Sequence, residues 1–314
     1  MKIIFFGSDN FAILPLKALM GAGYDILCVV TQPDKSKGRG LALAATPVKA
    51  LALEHKLKIY QPASINNKEA LGFLKGLGAD LFVIIAYGQI LAQEILDIPR
   101  LLPVNLHASF LPKYRGAAPI NWALINGEKQ TGVSIIKVIK KMDAGPVIAQ
   151  KSCAIEENDN AVTLAVKLSQ VGSGLLLETI KAVEQNKYHL TSQEEELATL
   201  APKLKKQDGL IDWNKPALEI HNLIRGCLDW PGAVTYYKGK LLKIYRARPD
   251  SLAQQSLNPA PGELIKAAPD GITVATGKGS LIIEELQIEG KRVMKAGEFL
   301  SGHKVCAGEL LTKK

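Results

Sequence analysis

The chain has 314 residues, of which 47% are hydrophobic and 22% charged, and its formal net charge is +9. This length fits two domains, and the balance is that of a protein able to bury ordinary cores, not of a disordered or fibrous chain. Apolar runs such as 81–86 are far too short to cross a bilayer.

The first half alternates strand-like and helical patterns. Lys2 to Phe6 reads as a strand; Ser8-Asp9-Asn10 then breaks the apolar run with no small-residue cleavage site, so a secretory leader is not expected. A helix is expected over Phe11 to Met20 and a second strand over Asp25 to Thr31. Another helix runs from Pro47 to His55, with proline at its first position and Thr46 as its N-cap. Helix Lys68 to Leu77 and strand Asp80 to Ala86 follow, and Val104 to His107 ends a further strand. These strands are nearly continuous Ile, Val, Leu and Phe, as in a parallel sheet buried on both faces. The alternation predicts a doubly wound α/β domain, whose ligands bind beyond the carboxyl ends of the strands.

After the first strand, Gly7-Ser8-Asp9-Asn10-Phe11-Ala12 lacks the later glycines of a dinucleotide fingerprint, and neither a Walker loop nor an H-E-x-x-H motif occurs. The spacing predicts a long amphipathic helix over Ala161 to Val183. Glu194-Glu195-Glu196 and 201–206 read as an exposed connection. From about Asp208 a short helix, Pro216 to Arg225, precedes short strands at Ala233–Tyr237, Lys240–Arg246, Gly262–Lys266, Gly271–Ala275 and Ser280–Gln287. Short strands punctuated by Gly and Pro suggest a small barrel or sandwich. The expected division is 1–190, a linker at 191–207, and 208–314. The cysteines at 28, 153, 227 and 306 show no metal-ligand or C-x-x-C spacing. Cys28 and Cys153 read as buried thiols, and the expectation is a cytoplasmic protein without a metal site.

Two features carry chemistry. Asn105 and His107 are two residues apart on one strand and therefore share a face, just before a loop rich in Pro and Gly. An amide donor beside a possible acid or base suits a reaction at a carbonyl carbon; taken alone, the pair is equally a turn cap and a core histidine. The second feature is basic: Lys35, Lys37 and Arg39 crowd one Gly-containing loop, and Lys203, Lys205 and Lys206 crowd another. Such clusters neutralise phosphates or form solvated surface.

The whole segment Asn105-Leu106-His107-Ala108-Ser109-Phe110-Leu111-Pro112-Lys113-Tyr114-Arg115-Gly116-Ala117-Ala118-Pro119 resembles the signature of the folate-dependent formyltransferases. Asp143, within Lys141-Met142-Asp143-Ala144-Gly145, completes that family's catalytic set with Asn105 and His107. The stretches 31–40 and 46–49 resemble the basic loop of the branch that acts on methionyl initiator tRNA. Ile211-Asp212-Trp213 and Trp230-Pro231-Gly232-Ala233 are similar to the start of that branch's C-terminal domain. The resemblance spans nearly the whole chain and weakens after about residue 250.

It implies a Rossmann-like transferase domain, a linker, and an OB-like barrel that helps to hold tRNA. The implied reaction moves a formyl group from 10-formyltetrahydrofolate to the α-amino group of methionyl initiator tRNA. Asn105 and His107 would stabilise the oxyanion; Asp143 would orient His107, keep it in its charged, donating form, or take the amine proton through a water. Ser109, Phe110, Leu111 and Pro112, with Tyr87 and Gly88, are expected to form folate-binding walls. Phe110 departs from the usual Leu, which implies a slightly altered wall. Lys35, Lys37 and Arg39, with Lys203, Lys205 and Lys206, are expected on tRNA, the first loop reaching the acceptor stem. The partners implied are therefore initiator tRNA and folate, with no membrane, and a monomer is expected. Rival readings are a formyltransferase acting on a UDP-linked 4-amino sugar, a formyltetrahydrofolate hydrolase, and a non-catalytic tRNA-binding module. None of these needs the basic loop together with the full catalytic set.

Overall fold

Strands built from Ile, Val, Leu and Phe form the middle layer of the first of two units in the computed structural model, which describes residues 1–37, 42–250 and 259–313. That unit comprises Met1–Pro119, Gln130–Ala154 and Ala165–Ala201. Its elements, in order, are β1 (Lys2–Gly7), α1 (Ile13–Gly21), β2 (Asp25–Val30), β3 (Lys35–Lys37), β4 (Ala42–Ala44), α2 (Pro47–Glu54) and β5 (Ile59–Tyr60). Then come α3 (Lys68–Gly76), β6 (Leu81–Ile85), α4 (Gln93–Leu96) and β7 (Leu102–His107). After α5 (Pro119–Ile125), nearly all of it in the second unit, the sheet resumes with β8 (Gln130–Lys137) and β9 (Val147–Ala154), and α6 (Ala161–Glu184) rejoins the first unit from Ala165.

The sheet order is β5-β2-β1-β6-β7-β8-β9. Strands β5 through β7 are parallel, as the apolar runs predict. The expected parallel sheet is exceeded at one end, where β8 runs antiparallel to β7 and β9 antiparallel to β8. The short connection at 138–146 carries no crossover helix, so β8 and β9 can only form a hairpin. Every residue of β6 is buried, and Ile4, Phe6, Phe82 and Ile84 pack with Leu74 and Ile95 into one core. Thr46 caps α2 by accepting from the Lys49 N–H at 3.1 Å, with Pro47 at the first helical position, as expected. Cys28 is fully buried, whereas Cys153, on the edge strand β9, is only half-buried and so departs from the expectation of a buried thiol.

The second unit comprises Ile120–Lys129, Ile155–Leu164 and Pro202–Lys314. It contains α7 (Ala217–Gly226), β10 (Ala233–Tyr237), β11 (Lys240–Pro249), β12 (Leu264–Ala268), β13 (Gly271–Ala275), β14 (Ser280–Ile288), β15 (Met294–Lys295), α8 (Ala296–Gly302) and β16 (Leu311–Thr312). The antiparallel order is β12-β13-β14-β11-β10-β16, with β15 on β14. Main-chain bonds from the Leu264 N–H to Glu309 O and from the Leu311 N–H to Gly262 O, both 2.8 Å, then join the two ends of the sheet. The sheet is thereby a closed barrel without free edges at that seam. Register shifts at Ile244–Arg246 and Arg246–Ala247 mark bulges in the long strand β11, which give it the extra twist a barrel wall needs. Lys238 and Gly239 both have positive φ, 49° and 76°, which suits the two-residue turn joining β10 to β11. Trp213, Ile220, Ile224, Leu242, Val274, Leu281 and Phe299 fill the interior. Among the described residues no helix is long and apolar enough to cross a membrane.

Candidate active site

The alternation of β7 sends Asn105 and His107 to one face, where both meet Asp143 in the turn between β8 and β9. Asn105 Nδ2 donates to Asp143 Oδ1 at 3.4 Å, and His107 Nδ1 lies 3.6 Å from the same oxygen. The latter distance is too long for a good hydrogen bond but short enough for charge pairing. The other carboxylate oxygen, Oδ2, accepts the Gly116 N–H at 2.9 Å. On the far side of the ring, Nε2 lies 2.9 Å from the Tyr114 carbonyl. A carbonyl can only accept, so Nε2 carries a proton and Nδ1 is the nitrogen turned to the carboxylate. The imidazole is buried, with 6% of its side chain exposed, and Asp143 is 14% exposed. This placement leaves one carboxylate oxygen, one amide and one ring edge converging at the carboxyl end of the sheet.

The backbone around them is unusual in ways that fix their positions. Asp143 and Tyr114 both occupy the left-handed region, with φ of 49° and 63°. That conformation is costly for residues with a Cβ and persists only where neighbours over-determine it. Gly116 has φ of 124°, and an added Cβ would come within 2.6 Å of the Ala201 carbonyl. Glycine at 116, with no Cβ, fits that close approach while its N–H bonds the carboxylate.

The loop at 109–112 is built from inside. Ser134 Oγ donates to Ser109 O at 2.7 Å and accepts the Leu111 N–H at 3.0 Å, and Gln150 Nε2 donates to Leu111 O at 2.8 Å. Ser109 spends its hydroxyl on Lys113 O at 2.6 Å and is fully buried, as is Leu111 at 2% exposure. Phe110, in contrast, is 44% exposed, and its ring lies along β8, where an added Cβ on Gly132 would approach it to 2.9 Å. Tyr87 belongs to the core, edge-on to Phe6, and its hydroxyl is buried without a hydrogen-bond partner. Burial pushes that phenol well above its ordinary range. Gly88 follows in the left-handed region at φ 90°. Thus Ser109, Leu111 and Tyr87 are buried and brace the loop from within, and Phe110, Pro112 and Gly88 are the accessible wall.

A groove of about 380 Å³ runs along Leu111 and Pro112, bounded by 147–150 and 191–194. Sequence reasoning gave no role to Ser134, Gln150 or Gln193, nor to the groove lining beyond Leu111 and Pro112. The stretch at 191–201, expected as an exposed connection, does have mostly exposed side chains, yet its backbone is bonded to this site. Thr191 pairs with Val147, and the Arg115 N–H donates to Thr199 O at 2.8 Å. Arg115, within the signature, is not free for a ligand: it is buried and held by Gln193 and Glu195. Hydrogen bonds from Arg115 and Lys141 hold the Glu195 carboxyl down at about 2.

The basic segments are only partly visible. Lys35 is exposed on β3, which pairs with β4 as a small hairpin, and the base of that hairpin is tied down. Asp34 accepts from Lys49 Nζ at 2.6 Å and from Gln61 Nε2 at 2.8 Å, and these bonds hold its carboxyl below the usual range. Thr31, Thr46 and Ser8 share hydroxyl contacts beneath it. Lys37 has its backbone in β3, while Arg39 lies outside the described residues. Lys203, Lys205 and Lys206 are all exposed in the second unit. Among the described residues no group of His, Cys, Asp and Glu is placed to hold a metal ion.

Several proteins similar to this chain are named formyltransferases. Residues 1–180 match the family model for formyl transferase, and residues 203–304 match that for the formyl transferase C-terminal domain. A methionyl-tRNA formyltransferase of Caldanaerobacter subterraneus subsp. tengcongensis is 46% identical over 312 residues, covering 99% of this chain and all of that protein. Another of the same name from Geotalea uraniireducens is 42% identical over 314 residues, covering 100% of this chain and 99% of its own length. Among solved structures, HypX of Aquifex aeolicus in complex with tetrahydrofolic acid shares the fold with a TM-score of 0.66 at 17% identity, covering 98% of this chain and 50% of that one. WlaRD, a sugar 3N-formyl transferase, gives 0.67 at 20% identity over 93% of this chain and 99% of that one. With both family models in chain order and relatives matched end to end at more than 40% identity, the chain belongs to the formyl transferase family, alongside the methionyl-tRNA formyltransferases.

Proposed function

We propose that the chain transfers the formyl group of 10-formyltetrahydrofolate to the α-amino group of methionyl initiator tRNA, the step that prepares that tRNA for translation initiation. The observation that carries this reading is the convergence of Asn105 and His107 on one carboxylate oxygen of Asp143. Formyl transfer to an amine needs a donor at the developing oxyanion and a path for the amine proton. Asn105 supplies a side-chain N–H, and the loss of one such donor typically costs on the order of 10²–10³ in rate. His107, whose Nε2 is committed to Tyr114 O, presents Nδ1 to the reacting side, where Asp143 holds the ring. A free α-amino group has a reference pKa of about 7.7–8.0, so a small local effect suffices to expose its lone pair to the formyl carbon. Asp143 offers a carboxylate oxygen that can receive the proton it sheds, directly or through a water.

The formyl donor supplies the electrophilic carbon and leaves as tetrahydrofolate. Phe110, Pro112 and Gly88, backed by the buried Ser109, Leu111 and Tyr87, form its binding walls in this reading. The groove beside Leu111 and Pro112 has room for part of such a ligand. Lys35, Lys37 and Arg39 act on the acceptor stem and Lys203, Lys205 and Lys206 on the tRNA backbone, where exposed cations release counterions. The working division is a catalytic domain at 1–190, a linker at 191–207 and a tRNA-holding barrel at 208–314, acting as a monomer in the cytoplasm. The test is incubation of the purified chain with 10-formyltetrahydrofolate and methionyl initiator tRNA. Formyl-methionine on the tRNA is the expected product; formyl on a UDP-linked 4-amino sugar instead, or free formate without acceptor, contradicts the reading.

A further inference from the structure

Arg115 aims three nitrogens away from the reacting face. Its Nε and Nη2 both donate to Gln193 Oε1, at 3.0 and 2.9 Å, and its Nη1 donates to the two oxygens of Glu195 at 3.0 and 3.1 Å. Two donors on one oxygen fix which end of the Gln193 amide is which, since a flipped amide would set N–H against N–H. The amide nitrogen therefore faces the turn at 143–145. There Nε2 donates to Asp143 O at 2.8 Å and to Gly145 O at 2.7 Å. Both of its hydrogens are used, and both go to the turn that carries the Asp143 carboxylate. Glu195 also accepts from Lys141 Nζ at 2.7 Å, so the same carboxylate grips the residue two before Asp143.

From this geometry we propose that Gln193 is a positioning residue for Asp143, clamping its strained turn so that the carboxylate stays against Asn105 and His107. Asp143 sits at φ 49°, a conformation that relaxes unless something holds it. Among the described residues the Asp143 side chain has one firm bond, the 2.9 Å contact to Gly116. Its contacts to Asn105 and His107 are 3.4 and 3.6 Å, long enough that a small drift of the turn abolishes them. The main-chain clamp from Gln193 is thus what sets the carboxylate's place, and Arg115 and Glu195 set Gln193. Gln193 also borders the groove assigned to folate, so a role at the turn must show in kcat and not in the KM for folate.

This proposal rests on the formyl-transfer reading, and the experiment separates the two. Steady-state formylation of methionyl initiator tRNA is measured for wild type, Gln193→Met and Gln193→Glu. Met preserves the side-chain volume but none of the hydrogen bonds; Glu keeps the contact to Arg115 while turning the two donors into an acceptor that faces two carbonyls. The proposal expects kcat to fall between about 10- and 100-fold in both variants, with KM for folate and for tRNA within about threefold of wild type. Wild-type kcat in Gln193→Met shows that the side chain only fills space and overturns the proposal. A loss confined to KM overturns it as well. Should Gln193→Met fail to fold, the same readings are taken from Gln193→Glu, and wild-type kcat there is equally decisive against it. Wild type that does not formylate the tRNA refutes the parent reading instead.

Discussion

Replacing Gly145 by Ala is the sharpest probe of the site's geometry. A Cβ built on Gly145 lies 1.8 Å from the Lys137 carbonyl, whereas real Cβ atoms essentially never come within 3.0 Å. The turn must therefore retreat by about 1.2 Å, the difference between those two distances. The obstacle is backbone at the end of β8, which pairs with both β7 and β9, so it cannot swing aside as a side chain would. The retreat falls on the residues at 143–146, and it pulls Asp143 away from contacts that are already 3.4 and 3.6 Å long. A misplacement near 1 Å costs on the order of 10²-fold in rate. Overpacking of this kind also destabilises by about 1–3 kcal/mol. The expected outcome is a kcat for tRNA formylation down on the order of 100-fold, with folate affinity changed little and a lowered but measurable melting temperature. Gly174→Ala is the control: it lies in the exposed face of α6 with nothing within 4 Å, so it should leave kcat alone and stabilise by roughly 0.5–1 kcal/mol. Formylation is read by separation of acylated and formylated tRNA at saturating donor. Wild-type kcat in a folded Gly145→Ala protein would refute the claim that the position of Asp143 limits the chemistry.

Asn105→Ala should lower kcat on the order of 10²–10³-fold while folate binding, followed by fluorescence titration, stays near wild type; a loss confined to binding would remove its role at the oxyanion. Arg39→Ala should cut kcat/KM for initiator tRNA roughly 10- to 100-fold, the scale of one base-edge contact, without changing folate affinity, and equal activity on that tRNA would end its assignment. His221, in α7, donates from Nδ1 to Ala247 O at 2.9 Å; burial first, and the nearby Arg225 charge, push its pKa below the ordinary 6.5 against the opposing pull of that carbonyl. A depressed histidine pKa means that the unfolded chain binds the proton more readily, so this group's contribution is intact above pH 6.5 and lost as pH falls through the folded value. Melting temperatures between pH 7 and 5 should accordingly fall less steeply in His221→Gln than in wild type; parallel slopes would show that this histidine does not drive the loss.

Much of the molecule was legible because its physics is local. The apolar runs of β1, β2 and β6 announce strands buried on both faces, and Thr46 with Pro47 announces α2. The barrel's hairpin at β10–β11 is written in Lys238-Gly239. The alternation of β7 put Asn105 and His107 on one face, and the formyltransferase resemblance brought Asp143 to them. What stayed hidden is long-range. Strands β8 and β9 were not among the expected elements, and the reason for their polar Ser134 and Gln150 is a neighbouring loop to be held. The stretch at 191–201 is hydrophilic and looks like a tether. Its bonds to Tyr114, Arg115 and Asp143 join residues about 50 to 85 positions apart, which no periodicity can express. Arg115 shows the converse: it stands in the most recognisable motif of the chain, where a cation invites a ligand, and the structure spends it on Gln193 and Glu195.

The most direct test of the central claim is a single comparison of acceptors. The chain is incubated with 10-formyltetrahydrofolate and, in separate reactions, methionyl initiator tRNA, methionyl elongator tRNA, a UDP-linked 4-amino sugar, or no acceptor. Formyl transfer to the initiator tRNA alone, abolished in Asp143→Ala, is the predicted result. Transfer to the sugar, release of formate without an acceptor, or binding of tRNA without turnover would contradict it.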